Sequence, residues 1–237
     1  MVSWRAMVLL VIPVYNEGGM LPRVLAGVRA VWPGRVLVVD DGSTDATPEI
    51  ARGEGALLLK HRRNRGYGAA LRSGLAWAEK MGYEWAITMD ADGQHEPAFL
   101  PRFLARIRAG AADIISGSRY LDPRLSQGPR PQDRLWVNRA VTALLREVTG
   151  YPLTDSFCGF KAYRLAALSR LELSEDGYAF PVELWIKAAR AGLSVEEIPV
   201  PLIYYDFDKG VGRCPAQERL AVYLEAAARA LRWTSSS

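Results

Sequence analysis

Two carboxylates, one residue apart, open the stretch MDADGQHE, in which Asp90 and Asp92 follow the apolar run Trp85 to Thr88. Carboxylates this close repel each other and raise each other's pKa unless a cation or a hydrogen-bond donor lies between them. We therefore expect a positive group at this point of the structure. The Asp-x-Asp pattern alone is weakly specific, because many calcium loops and ordinary turns contain it.

A second acidic pair follows another apolar run, where DDGSTD (residues 40–45) comes directly after VLVV. Paired acids before a helix can hold a ribose or a base amide, although Ser43 or Thr44 followed by Asp45 could also cap that helix. The stretch NRGYG (residues 64–68) is like a phosphate-binding loop at a helix start, but it lacks the Walker spacing and lysine. A P-loop is therefore not indicated.

Histidine and cysteine are scarce in this chain. His61 and His95 are each more typical of an exposed residue or a local hydrogen-bonder than of a catalytic base. Cys158 and Cys214 have no partner at metal-ligand spacing, so we interpret them as buried, inert thiols in a reducing compartment.

The size and composition of the chain favour a single globular domain. It has 237 residues, of which 49% are hydrophobic and 24% are charged. The run without charge from Ala6 to Asn16 is far shorter than the roughly 20 apolar residues that a membrane span requires. Because no small-residue cleavage site follows the apolar N-terminal run, we expect a cytoplasmic protein rather than a secreted one.

The net charge of +4 is unevenly distributed. Residues 60–72 contain basic side chains and no acid, and residues 119–146 are rich in arginine. Two basic stretches in a nearly balanced chain indicate an anionic partner, unless they form a solvated face. Nucleic acid is the weakest candidate, since no aromatic residues alternate with the arginines as stacking on single strands requires. A membrane surface or a phosphorylated substrate fits better.

Apolar runs alternate with segments of helical periodicity along the chain. Strands are predicted at 7–14, 36–39, 56–59, 85–89, 113–117 and 194–199, and helices at 18–31, 44–52, 69–81, 97–108, 132–149, 180–191 and 216–233. Residues 156–164 could form an edge strand. This alternation predicts an α/β fold with a mostly parallel central sheet flanked by helices. Ligands collect at the carboxyl ends of such strands, where three acidic clusters should converge.

The last predicted helix is amphipathic. Its expected buried face consists of Leu220, Leu224, Ala227, Ala228 and Leu231.

The motifs are far more specific in combination than singly. VIPVYNE, VVDDGSTDAT, NRGYGAALRSG and MDADGQHEP, in this order and spacing, resemble the family 2 glycosyltransferases of GT-A fold. GSRY, DSFCGFKAYR and GYAFPVELWIKAARAGLSVEEIPV resemble the branch that contains dolichyl-phosphate mannose and glucose synthases and their bacterial polyprenyl-phosphate relatives. The resemblance extends from about Val8 to Tyr205. It implies a GT-A, nucleotide-diphospho-sugar transferase fold in one domain.

The resemblance implies a role for the acidic edge of the sheet. A nucleotide-sugar donor has a diphosphate leaving group, whose departure a divalent cation assists. Asp90, Asp92 and Gln94 would supply oxygen ligands to Mg or Mn, with Asp92 also catalytic. The donor site would comprise Pro13, Tyr15, Glu17, Asp41 and Asp90. A strand terminator and a packed ring are the alternative interpretations of Pro13 and Tyr15, and nothing distinguishes GDP-mannose from UDP-glucose.

The resemblance also implies an acceptor that accounts for the arginines. A polyprenyl or dolichyl phosphate arrives ionised and needs positioning and charge compensation rather than a strong base. Arg119 of the GSR motif is the first candidate to hold this phosphate and to assist catalysis, Arg139 is the second, and Arg134 could match instead. Direct displacement would invert the anomeric configuration. Such an enzyme would meet its lipid at the membrane surface, at the inner face of the cell membrane.

The expected organisation is a catalytic domain over residues 1–205, followed by an acceptor loop and an amphipathic helix over residues 206–237. Within the domain, residues 1–118 would bind the nucleotide-sugar and residues 119–205 the acceptor. Two alternatives stay open at this point: the same donor chemistry with a soluble or protein acceptor, and a nucleotide- or metal-binding module without turnover.

Overall fold

An apolar strand, β1 (Val8–Val14), runs through the centre of the protein, and all seven of its residues are buried. The other strands are β2 (Val36–Asp40), β3 (Leu57–Lys60), β4 (Trp85–Thr88), β5 (Ile114–Ser118), β6 (Lys161–Arg164) and β7 (Val195–Pro199). The computed structural model describes residues 7–125, 132–203 and 215–234, and there the strands form one sheet in the order β3-β2-β1-β4-β6-β5-β7.

Helices cover both faces of this sheet. They are α1 (Leu21–Val31), α2 (Thr47–Gly53), α3 (Tyr67–Lys80), α4 (Leu100–Arg108), α5 (Gln132–Thr149), α6 (Leu165–Leu168), α7 (Phe180–Arg190) and α8 (Ala216–Ala230). Alternate residues of β1 point to opposite faces: Leu9 and Val11 join the core under α3, α5, α7 and α8, whereas Leu10 and Ile12 join the core under α1 and α4. The predicted α/β fold is confirmed.

Strand β6 lies inside the sheet and not at its edge, so the prediction of an edge strand is wrong. It pairs antiparallel with β4, where Lys161 faces Thr88, and antiparallel with β5, where Ala162 faces Ile115. Lys161, Ala162 and Tyr163 are buried, and the true edge strand on this side is β7. The local sequence does not show which strands flank this segment, and its inner position depends on pairing with two distant strands.

The buried face of α8 also differs from the prediction. The helix buries Arg219, Tyr223, Ala226, Ala227 and Ala230. Leu224 and Leu231 are 46% and 41% exposed. Ala227 is buried as predicted, and Leu220 is partly buried against the core. Tyr223, which the prediction left out, packs against Phe157 with ring centroids 4.6 Å apart. Among the helices of the described ranges, none is long and apolar enough to cross a bilayer.

Candidate active site

The loops that follow β1 and β2 are joined by hydrogen bonds. Three backbone N–H groups of the first loop donate to side chains of the second: Asn16 to Ser43 Oγ (2.9 Å), Glu17 to Thr47 Oγ1 (3.0 Å) and Gly18 to Asp45 Oδ2 (3.0 Å). Helix α2 begins at Thr47, with Ala46 at the N-cap position, so the expected N-cap at Ser43 or Thr44 is wrong. The Ser43 hydroxyl binds the neighbouring loop instead of the helix end, so these residues fix the backbone of Asn16 to Gly18.

The predicted residues of the first loop lie at the carboxyl end of β1. Pro13 is buried within the strand and faces Val39 of β2. Tyr15 is 46% exposed, so its ring is open to a ligand rather than packed in the core. Glu17 is partly buried beside α2. The structure thus brings Tyr15 and Glu17 to the edge where ligands of such sheets bind.

Asp41, after β2, is buried and holds the NRGYG loop. Its carboxylate accepts hydrogen bonds from the backbone N–H of Gly66 (2.7 Å) and of Arg65 (3.0 Å). It also accepts from His61 Nδ1 (2.6 Å), and because a carboxylate only accepts, the proton lies on that nitrogen. His61 Nε2 contacts Ser73 Oγ at 2.9 Å. His61 is thus a local hydrogen-bonder, and it is buried rather than exposed.

Asp90 and Asp92 follow β4 and lie at the same carboxyl edge of the sheet. Tyr67 donates its hydroxyl to Asp90 Oδ1 (3.0 Å), and the Gln94 N–H donates to Asp92 Oδ1 (2.9 Å). Burial raises the pKa of Asp90. Burial also raises the pKa of Asp92, and the negative charge of Asp90 raises it further. The two carboxylates therefore repel each other in the way that their spacing predicts.

His95 supports this turn and does not act as a base. Its Nδ1 accepts a hydrogen bond from the Asp90 N–H (2.9 Å), and its ring stacks on Phe160. Burial lowers the pKa of His95 to about 4, so the imidazole is neutral at physiological pH. Cys158 lies 3.9 Å from Nε2, and burial raises the pKa of this thiol to about 11. Cys158 is thus buried and unreactive, as expected, whereas Cys214 lies outside the described residues.

The Asp90 and Asp92 pair has the donor chemistry that a divalent cation prefers. Its donors are oxygens, as Mg and Mn prefer, and a cation would remove the repulsion that raises the pKa of Asp92. Over residues 7–125, 132–203 and 215–234, no group of three or more His, Cys, Asp or Glu side chains could hold a metal alone. Asp90, Asp92 and Gln94 are the residues that could hold such a cation, together with oxygens of a bound ligand or of water.

Gly159 allows the segment before β6 to approach Asp90. A Cβ atom at this position would lie 2.4 Å from Asp90 Oδ2 and 2.7 Å from the Tyr67 hydroxyl. Only glycine fits such a close approach. Lys161 follows it, and this buried ammonium donates to the carbonyl of Cys158. The DSFCGFK motif therefore forms the wall behind the acidic pair.

Arg119, after β5, forms a bidentate ion pair with the fully buried Asp155. Its Nε and Nη2 lie 2.6 Å and 2.9 Å from the two carboxylate oxygens, and Asn138 of α5 donates to the same carboxylate (2.8 Å). Burial alone would raise the pKa of Asp155, but the guanidinium and these hydrogen bonds outweigh it and lower the pKa to about 2. The positive charge of Arg119 opposes the rise in the pKa of Asp92 without cancelling it.

The two other predicted arginines lie on different faces of α5. Arg134 is one helical turn before Asn138 and therefore lies on the face that contacts Asp155. Arg139 is exposed and lines a separate cavity of about 620 Å³, together with Arg146 and Thr154. The geometry thus favours Arg134 over Arg139 as a neighbour of Arg119. The predicted acceptor loop begins at residue 206. It falls within residues 204–214, which lie outside the described residues.

Sequence reasoning missed four residues that build the site: Tyr67, Asp155, Lys161 and Tyr178. The ring of Tyr178 stacks on that of Tyr67 with centroids 5.6 Å apart. Burial raises the pKa of Tyr178, and the charges of four acids raise it further: Asp90, Asp92, Glu17 and Asp41. The NRGYG, DSFCGFK and GYAF motifs contain these residues, but their positions beside the acids depend on contacts between distant segments.

The acidic carboxyl edge of the sheet and the guanidinium beside it define a glycosyltransferase of GT-A fold. The sequence profile of glycosyl transferase family 2 matches residues 9–172, and the chain belongs to this family.

Two curated relatives have names that describe lipid-phosphate substrates. The polyprenol monophosphomannose synthase of Mycolicibacterium smegmatis is 37% identical over 203 residues, covering 81% of this chain and 76% of that protein. The undecaprenyl-phosphate mannosyltransferase of Micrococcus luteus is 36% identical over 205 residues, covering 83% of each.

Solved structures support the fold. Glucosyl-3-phosphoglycerate synthase from Mycobacterium tuberculosis, in complex with Mn²⁺, uridine-diphosphate and glucosyl-3-phosphoglycerate, matches with a TM-score of 0.77 and 19% identity. The match covers 97% of this chain and 81% of that one. The predicted family and fold are therefore confirmed.

Proposed function

We propose that this enzyme transfers a hexose from a nucleotide-diphospho-sugar to a polyprenyl phosphate, with inversion at the anomeric carbon. One observation carries the proposal: the guanidinium of Arg119, oriented by the buried Asp155, and two partly buried carboxylates with raised pKa values follow β5 and β4, which both run antiparallel to β6 and so end at the same edge of the sheet. Such a site suits two anionic substrates, one bound through a cation and the other through Arg119. Relatives named for mannose transfer favour mannose over glucose.

The donor's nucleoside would lie over the loops after β1 and β2. Tyr15 offers an exposed ring, and Glu17 is held there through its backbone by Thr47. Asp41 orders the loop at residues 65–66 and so shapes the floor of this subsite. Asp41 could also bind the nucleotide directly. In that interpretation its carboxylate would accept a hydrogen bond from an N–H group of the base.

The diphosphate would lie against Asp90, Asp92 and Gln94, which would hold a divalent cation together with the phosphate oxygens. When bound, the cation neutralises charge that develops on the leaving diphosphate. Tyr67 and the Gln94 N–H fix the orientation of the two carboxylates. Neutral His95 holds the backbone of Asp90 and takes no proton from substrate.

The acceptor phosphate would bind to Arg119 and to Arg134 on the adjoining face of α5. A phosphate monoester is already ionised at neutral pH, so positioning replaces base catalysis. Because Asp155 fixes the guanidinium from behind, Arg119 is oriented before the phosphate arrives. In-line attack on the anomeric carbon then inverts its configuration without an enzyme nucleophile. The reaction would occur at the membrane surface, where the lipid resides.

The proposal is tested by incubating the protein with Mn²⁺, undecaprenyl phosphate in detergent, and radiolabelled GDP-mannose or UDP-glucose. We expect label to enter the organic phase with one donor, and Asp92→Asn to abolish the transfer. Label that stays in the aqueous phase on a soluble acceptor would overturn the lipid assignment. Release of free hexose alone, at an equal rate with and without lipid, would do the same.

A further inference from the structure

Three consecutive residues connect the two ends of the proposed donor site. The N–H groups of Arg65 and Gly66 donate to Asp41, at 3.0 Å and 2.7 Å. The next residue, Tyr67, donates its hydroxyl to Asp90 at 3.0 Å. We refer to Arg65–Tyr67 as the strut. Through these hydrogen bonds, three consecutive residues link the loop after β2 to the loop after β4.

The segment that precedes α7 packs closely against the strut. Gly66 has φ of +105°, and a Cβ atom there would lie 2.4 Å from the carbonyl oxygen of Asp176. A Cβ at Gly68 would lie 2.3 Å from the carbonyl oxygen of Glu175. The N–H of Ala69 donates to the Asp176 carbonyl at 3.0 Å. The backbone of the strut therefore cannot shift without moving the segment that precedes α7.

The side chain of Tyr67 is equally constrained. Its ring stacks on Tyr178, with planes 14° apart, and its hydroxyl lies beside Gly159, where a Cβ would approach to 2.7 Å. A phenol fixed at both the ring and the backbone presents its O–H at one position. Asp90 Oδ1 accepts the hydrogen bond from this hydroxyl, so Tyr67 favours one orientation of the Asp90 carboxylate.

We propose that Tyr67 is a positioning residue that presets Asp90 for the divalent cation and ties that end of the site to Asp41. This inference rests on the proposed function, because it concerns the same cation. Groups that hydrogen-bond to a metal ligand typically change metal affinity 10- to 100-fold when removed. The strut adds that the Asp90 carboxylate is oriented from the nucleotide end of the site, whereas His95 of its own loop holds its backbone N–H.

The test is the affinity of Tyr67→Phe for Mn²⁺, measured from the electron paramagnetic resonance signal of free Mn²⁺ in the presence of UDP or GDP. Phenylalanine keeps the stack on Tyr178 and removes only the hydrogen bond. We expect about 10-fold weaker Mn²⁺ binding, with metal-free nucleotide affinity unchanged. Tyr151→Phe is the matched control, because it removes a phenol hydrogen bond to the Leu193 carbonyl (2.6 Å) outside the site. We expect that control to bind Mn²⁺ like the wild type.

The outcomes separate the inference from the proposed function. Wild-type Mn²⁺ affinity in Tyr67→Phe would overturn the role of Tyr67 and leave the proposed function standing. Equal losses of metal-free nucleotide affinity and Mn²⁺ affinity, with a lower melting temperature, would show a general structural role and would also overturn it. Failure of the wild type to bind Mn²⁺ with either nucleotide would overturn the proposed function itself.

Discussion

Asp41 at the proposed donor end and Asp155 at the proposed acceptor end are both buried carboxylates. Their negative charges are compensated by different groups. Asp41 accepts from two backbone N–H groups and from His61. Asp155 accepts from a guanidinium through two hydrogen bonds. The donor end thus gathers negative charge that suits a cation, whereas the acceptor end has a neutral pair with a fixed guanidinium. Each end is prepared for the substrate that it would bind.

Removing the charge of Asp155 gives the strongest test of this contrast. In Asp155→Asn the nearly buried Arg119 loses its counterion, and breaking a buried pair in this way costs about 3 kcal/mol or more. We expect the free energy of unfolding, measured by urea denaturation, to fall by about this amount, and the KM for the lipid phosphate to rise.

Asp122→Asn is the control for that variant. Asp122 pairs with Arg124, whose side chain is 89% exposed, so its loss should leave the unfolding transition unchanged. Equal effects of the two substitutions would show that burial does not distinguish the acceptor-end pair.

The same pair predicts a dependence of stability on pH. The pKa of Asp155 is about 2 in the folded protein, below its ordinary value of 3.8. Stability from this group is therefore complete above the unfolded pKa and is lost as the pH falls through the folded one, a contribution of about 2.5 kcal/mol. We expect the stability difference between wild type and Asp155→Asn to shrink between pH 4 and pH 2. Parallel curves for the two proteins over that range would contradict the assignment.

Gly159 lies where the two ends meet, and it sharpens the comparison. In Gly159→Ala the added methyl group would press on Asp90 and Tyr67, at a cost of about 2 kcal/mol. We expect thermal unfolding at lower temperature and a weaker response of activity to Mn²⁺. Gly53→Ala is the matched control, since a Cβ there meets no atom within 4 Å. If the Gly159→Ala variant responded to Mn²⁺ like the wild type, the close packing of Gly159 against Asp90 would not matter for metal-dependent activity.

The smallest effect is expected at the loops after β1 and β2. Thr47→Val keeps the shape of the side chain but removes the acceptor for the Glu17 N–H, a loss of about 1 kcal/mol. We expect the KM for the nucleotide-sugar to rise several-fold with kcat nearly constant. Thr149→Val is the matched control, because it removes a threonine hydroxyl that accepts from the Tyr151 N–H (3.2 Å) at the end of α5, away from these loops. If the two variants behave alike in steady-state kinetics, the hydrogen bonds between the loops do not shape the donor subsite.

The sequence predicts the parts of the site that local pattern determines. Asp90 and Asp92 follow an apolar run, so their place at a strand end can be inferred from neighbouring residues. Asp155 is 36 residues from Arg119, and Tyr67 is 23 residues from Asp90, so no local pattern pairs them.

The wrong predictions have the same origin. The inner position of β6 depends on pairing with Thr88 at a separation of 73 residues. The face that α8 buries includes Tyr223, whose ring packs against Phe157 of a distant segment. In both cases a contact with a distant segment decided what local hydrophobicity could not.

The inner position of β6 also has a consequence for synthesis on the ribosome. Strands β1 to β4 are complete once Thr88 has emerged, but the edge of β4 must wait for residues 161–164. Until then an apolar strand exposes unpaired backbone groups, which is a condition that favours aggregation of nascent chains. Asp155 and Gly159 directly precede this strand, so the residues that cover the edge of β4 and the residues that build this side of the site leave the ribosome together.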